Sequence, residues 1–136
     1  MSWRTDLIAR LEADAGLADA LSDRIGWFEA QRGWQAFPQL VLQEISPGRE
    51  YTHGGPDGLD EPRVQFDIYA TDPADLETVE AALLAEMEQD AVTVGGTWFG
   101  FARLLLRRTR PPEDLGDQTR VFGLQIDFAF HWYSTT

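Results

Sequence analysis

The feature that most narrows the fold lies near the end of the chain. Phe122, Leu124, Ile126, Phe128, Phe130 and Trp132 occupy every second residue, and Val121, Gly123, Gln125, Asp127, Ala129 and His131 alternate with them. A period of two belongs to a β-strand, whose successive side chains point to opposite faces. The strand predicted over Thr119 to Trp132 therefore presents one wall of large apolar groups. Such a wall must lie in a sheet and be covered by another layer.

The rest of the chain supplies both. Arg63 to Ala70 alternates as well, with Val64, Phe66, Ile68 and Ala70 against Arg63, Gln65, Asp67 and Tyr69. Thr71-Asp72-Pro73-Ala74-Asp75 then starts a helix: Asp72 suits the N-cap, Pro73 the first helical position and Asp75 the first turn. That helix is expected to reach about Gln89, burying Leu76, Val79, Leu83, Leu84 and Met87, with Glu77, Glu80, Glu86 and Glu88 toward solvent. Near the N-terminus Trp3, Leu7, Ile8, Leu11 and Ala15 share one helical face, capped by Ser2 or Thr5. Gly16 ends or bends this helix, and Leu17 to Leu21 continue as a short turn. Gln39 to Ile45 reads as a strand, Ile25 to Glu29 as an optional one. Gly95-Gly96 separates Val92–Val94 from a strand near Thr97 to Arg108, by a hairpin or a bulge.

Two segments carry no packing pattern and are expected to be long loops: 47–62, rich in Pro and Gly, and 109–118, led by Pro111-Pro112. The element order predicts an α+β fold, a mostly antiparallel four- to five-stranded sheet with two helices packed on one face. The other face, bearing Asp67, Tyr69, Gln125, Asp127 and His131, is polar or mixed.

At 136 residues the chain is expected to form a single domain, 1–136. Its net charge is −12, and all 11 basic residues are Arg. That balance argues against broad electrostatic binding of nucleic acid, which needs many phosphate-neutralising cations. With no Cys, disulfides and thiolate zinc sites are excluded. The N-terminus lacks the apolar core of an export signal, and the longest uncharged run, Ala91 to Ala102, is too short to span a membrane as a helix. A soluble protein made in the cytoplasm is expected. The charge is uneven: Arg103, Arg107, Arg108 and Arg110 fall within eight residues, while the first 102 residues are strongly acidic. Two readings stay open: an Arg-favouring composition with a solvated acidic surface, or a bipolar surface in which an Arg-rich edge meets the acidic face of a neighbouring copy.

Catalytic material is sparse. His53 lies in the first loop and His131 at the end of the last strand, and no metal-ligand motif is present. His53 with Asp57 and Asp60 is the one conceivable metal cluster, and a solvated loop His explains it better. The four Ser are at 2, 22, 46 and 134, none in a nucleophile-elbow context. Gly95 to Gly100 is Gly-rich but lacks the phosphate-loop Lys. Asp67 and Asp127 would form an acid–base pair only if their strands were adjacent; a solvent-facing acidic surface is the plainer alternative. Aromatic residues are in excess of one small core: Trp27, Trp34, Trp98 and the Phe130-His131-Trp132-Tyr133 end read as interface material, with a well-filled core plus scattered surface aromatics as the alternative.

The sequence of features resembles a known family. Phe37-Pro38-Gln39-Leu40-Val41-Leu42, the Gly/Pro-rich loop, Val64-Gln65-Phe66-Asp67-Ile68-Tyr69-Ala70 running into the Asp72 helix, and the closing Phe122-Gly123-Leu124-Gln125-Ile126-Asp127-Phe128 are similar to the small phage tail-terminator or tail-completion proteins, also found in phage-like gene transfer agents. The resemblance spans nearly the whole chain. It implies a structural virion protein with no enzymatic activity and no cofactor. Copies would form a hexameric ring at the head-proximal end of the tail, ending tail-tube polymerisation. Its partners would be other copies, the tail-tube protein and the head–tail connector. Assembly would take place in the host cytoplasm, away from any membrane, and DNA would pass through the lumen without specific binding. Separately, the net charge of −12 suggests an acidic lumen that repels DNA phosphates. Arg103, Arg107, Arg108, Arg110, Trp98, Trp132 and Tyr133 are the candidates for the subunit interface. Arg49, Tyr51, His53, Asp57 and Asp60 are candidates for a contact loop. Two other classes stay open: a small-molecule-binding or enzymatic domain using the polar sheet face, and an acidic DNA-mimic inhibitor.

Overall fold

A computed structural model of the chain describes residues 2–28, 36–48, 51–52, 55–56, 60–116 and 119–135, with the backbone alone at 51–52 and 55–56. Helices α1 (Trp3–Ala13) and α2 (Ala15–Leu21) are followed by strands β1 (Ile25–Trp27), β2 (Gln39–Ser46), β3 (Tyr51–Thr52), β4 (Gly55–Pro56) and β5 (Arg63–Ala70). Helix α3 (Pro73–Met87), β6 (Ala91–Val94), β7 (Thr97–Gly100), β8 (Arg103–Asp114), β9 (Arg120–Ala129) and β10 (Trp132–Ser134) complete it. The α+β class holds. The main sheet has five strands in the order β1-β2-β5-β9-β8, antiparallel except for the β1–β2 pair. A second sheet, β10-β7-β6, and a third helix go beyond the expectation.

The caps explain the helix starts. The Ser2 hydroxyl accepts from the Thr5 N–H, and the Asp72 carboxylate from the Ala74 N–H. Asp14 is both the C-cap of α1 and the N-cap of α2, so the break falls there and Gly16 lies inside α2. Gly95-Gly96 makes a hairpin between β6 and β7. Gly95 has φ +58, and a Cβ there would stand 2.5 Å from an Asp6 carboxylate oxygen.

The two segments expected to be long loops contain strands. Within 47–62, β3 and β4 pair as a small hairpin. The base of that segment is closed by Gly48, whose carbonyl accepts from the Glu61 N–H at 2.9 Å. Within 109–118, β8 continues through Pro111-Pro112 to Asp114. The strand tolerates two Pro because it lies at the sheet edge and its register with β9 shifts between Arg110 and Glu113.

One face of the main sheet meets the helices. Leu40, Leu42, Val64, Phe66, Ile68, Leu124, Ile126 and Phe128 pack against Leu7, Leu11, Leu17, Leu21, Val79, Leu83 and Met87. The ribbon β8–β9 bends at Phe101-Ala102 and Phe130-His131 and continues as β7–β10, so one pair of chain segments serves both sheets. Under that bend Trp3 stacks on Trp132 and meets Trp27 and Phe130 edge-on, with ring centroids 5.6 to 5.9 Å apart. This cluster absorbs much of the aromatic excess.

Among the described residues, three charged side chains of the helices are buried. Asp6 accepts from the Thr97 hydroxyl at 2.6 Å. Arg10 donates through Nε to Glu86 at 2.9 Å and also to the Glu86 carbonyl, tying α1 to α3. Glu86 therefore does not face solvent as expected. It shares the buried stripe of Val79, Leu83 and Met87, and Arg10 supplies the counter-charge.

Candidate assembly surface

The second face of the main sheet carries polar side chains in pairs set by register. Gln65 lies opposite Asp127, and Asp67 opposite Gln125. β8 adds Arg108 opposite Gln125 and Arg110 opposite Gly123. The resulting network is continuous. Arg63 donates to Asp127 at 2.8 Å, Arg110 to Asp67 at 2.8 Å, and Arg108 and Arg110 both donate to the Gln125 carbonyl oxygen. The Gln65 amide donates to Asp67, and the Gln125 amide to Asp127 and Gln65. Asp67, Gln125 and Asp127 are buried. The strands of Asp67 and Asp127 are adjacent, yet each carboxylate is held by its own Arg. His131 stands elsewhere, 2.7 Å from Glu61.

Burial raises the Tyr69 phenol above its usual value, and the Asp67 and Glu113 charges add to this while Arg110 opposes it. For Arg110, burial alone would favour the neutral form. The hydrogen bond and charge of Asp67 outweigh it, so its net shift is upward. Arg107 is also raised, first by its hydrogen bond to Glu80.

The predicted interface residues fall on β8 of the main sheet and on β7 and β10 of the small sheet. Arg103, Arg107, Arg108 and Arg110 all lie on β8, the edge strand. Three of the four have carboxylate partners within the chain: Glu61 for Arg103, Glu80 of α3 for Arg107 and Asp67 for Arg110. Trp98 and Tyr133 stack at 4.8 Å on the small sheet, and Tyr133 is exposed. Trp132 is half-buried against Trp3. Of the contact-loop residues, Arg49, His53 and Asp57 lie outside the described residues, as does Trp34, and only the backbone of Tyr51 is described, in β3. Asp60 bridges to Trp132 through the backbone. Among the described residues no group of three His, Asp or Glu is placed to hold a metal, and no helix is long and apolar enough to cross a membrane.

The sequence reading missed the exposed apolar side chains at the sheet edges. Phe101, Leu104 and Leu105 are exposed at the start of β8, and Phe28 and Ile45 at the β1–β2 edge. One signal was present. Leu104-Leu105-Leu106 breaks strict alternation, so in a strand these three cannot share one buried face.

No family model matches the chain, and no curated protein matches it. Among solved structures it is similar to a chain from the virion of a native gene transfer agent (GTA) particle, with TM-score 0.58 and 14% identity, covering 94% of this chain and 93% of that one. The two share their fold over nearly the full length.

Proposed function

We propose that this chain is a structural protein of a phage-like virion, of the tail-terminator or tail-completion type. Copies form a ring, six by the family resemblance, at the head-proximal end of the tail. The ring stops tail-tube polymerisation, meets the head–tail connector and lets DNA through. The observation that carries the reading is the fold shared, end to end, with a chain of a gene transfer agent virion. The site chemistry supports it. Asp67 and Asp127 are engaged by Arg110 and Arg63 in a network that ties neighbouring strands together. The role is non-catalytic and without cofactor. A protomer of net charge −12 gives passing DNA little to adhere to.

Deleting the gene in the producing cell tests the reading. The expected phenotype is tails of uncontrolled length that fail to join heads, restored by the gene in trans. Purified particles that lack the protein, with tails unchanged by the deletion, would overturn it.

A further inference from the structure

β8 is an edge strand of 12 residues, and no described strand pairs with its outer side. Among the described residues the opposite edge of the same sheet is also only partly paired. β1 covers β2 only from Leu40 to Leu42, and the Phe28 N–H adds one bond to the Leu42 carbonyl. From Gln43 to Ser46 no described residue pairs with the outer side of β2. Exposed large apolar groups gather at these two edges. Phe101 is 48% exposed, Leu104 45% and Leu105 42% at one, and Phe28 67% and Ile45 50% at the other. An unpaired edge stretch that bears apolar groups is a template for another strand, and on β8 that stretch lies ahead of Pro111-Pro112, whose nitrogens cannot donate.

We propose that the β8 edge of one copy pairs with the Gln43–Ser46 edge of β2 in a second copy, so that the main sheet continues from subunit to subunit. Three observations select this occupant. First, a β8–β8 pairing centred on Arg107–Arg110 would set Arg against Arg, whereas β2 carries no Arg; like charges opposite each other destabilise a sheet. Second, the one charge on β2 is Glu44, held by Arg4 of its own chain, so β2 sets no cation of its own against the Arg row. Third, the strand directions agree. The steps β2–β5, β5–β9 and β9–β8 are all antiparallel, so β8 runs antiparallel to β2. A copy related by rotation about an axis along the strands presents its β2 antiparallel to β8. The contact joins two different patches, and repetition of such a contact closes a ring or grows a filament. This inference deepens the ring reading above and rests on it for its biological setting.

The chain has no Cys, so introduced thiols report contacts without background. Leu105→Cys and Ile45→Cys are placed in exposed positions at the two edges. Under mild oxidation at high protein concentration, and in particles purified from producing cells, the double variant is expected to give a ladder of dimers, trimers and higher species. Equal mixtures of the two single variants should stop at the dimer, and each single variant alone should stay monomeric. A Leu105→Cys homodimer formed as readily as the mixed dimer would overturn the proposal, and so would a double variant that never cross-links. Leu105→Asp, analysed by circular dichroism for an intact fold, should reduce self-association at least tenfold; unchanged association would also overturn it. Protein present in particles without the ladder would sink this contact alone. A ladder in solution with the protein absent from particles would sink the virion reading alone.

Discussion

Arg10 is among the largest fully buried side chains of the described residues, and its guanidinium meets both the carboxylate and the carbonyl of Glu86. Removing one partner of such a pair strands the other charge, at a cost of about 3–5 kcal/mol. Arg10→Ala should therefore lower the melting temperature sharply, whereas Arg10→Met combined with Glu86→Leu should recover most of the loss. Thermal denaturation of both variants checks this. A second residue-scale expectation concerns Tyr69. Its raised pKa, due to burial and then to Asp67, means that the folded state holds the phenolic proton more tightly than the unfolded state. Stability from this group is complete below pH about 10, the unfolded value, and declines as pH rises through the folded value. Absorbance titration of the phenolates should find one of the three Tyr ionising late. Asp67→Asn should bring that titration back toward the ordinary range.

Element by element, the reading from sequence succeeded where the local signal and the tertiary role coincide. Arg63–Ala70 and the helix start at Asp72 agree with the structure because alternation and capping are local chemistry. The same cap makes a prediction: Asp72→Ala should cost about 1 kcal/mol, the usual worth of an N-cap, read as a shifted denaturant midpoint with unchanged slope. Glu86, Asp6 and Arg10 were legible as positions and not as environments. Trp3, Asp6, Leu7, Arg10 and Leu11 recur at spacings of three and four, which is the buried stripe of α1, yet only distant partners explain the charges on it. The polar sheet face was foreseen as polar. That Asp67 and Asp127 are buried there depends on Arg63 and Arg110 reaching them from other positions, which no single strand reveals. Pro111-Pro112 suggested a loop because Pro breaks most strands; only the place of β8 at the sheet edge makes it admissible. The exposed edge residues were the least legible, since exposure is a property of the assembled sheet order.

At the scale of the whole molecule two forces compete when copies meet. Each copy carries −12, and at low ionic strength the repulsion between copies reaches well beyond contact, with a screening length of about 30 Å at 0.01 M salt. The Arg row on β8 offsets little of this, because Glu61, Glu80 and Asp67 of the same chain already engage three of its four members. What remains to attract is the apolar edge and the free backbone groups, and neither is weakened by screening. Association through the sheet edges should therefore strengthen as salt rises from about 0.01 M to about 1 M, where the screening length falls to about 3 Å. An interface built instead on β8 Arg meeting the acids of a neighbour would weaken over the same range. Sedimentation velocity across a salt series separates the two. Association that falls with salt would return the weight of the contact to the Arg row, and Arg108, which has no carboxylate partner among the described residues, would then be the first position to reverse in charge.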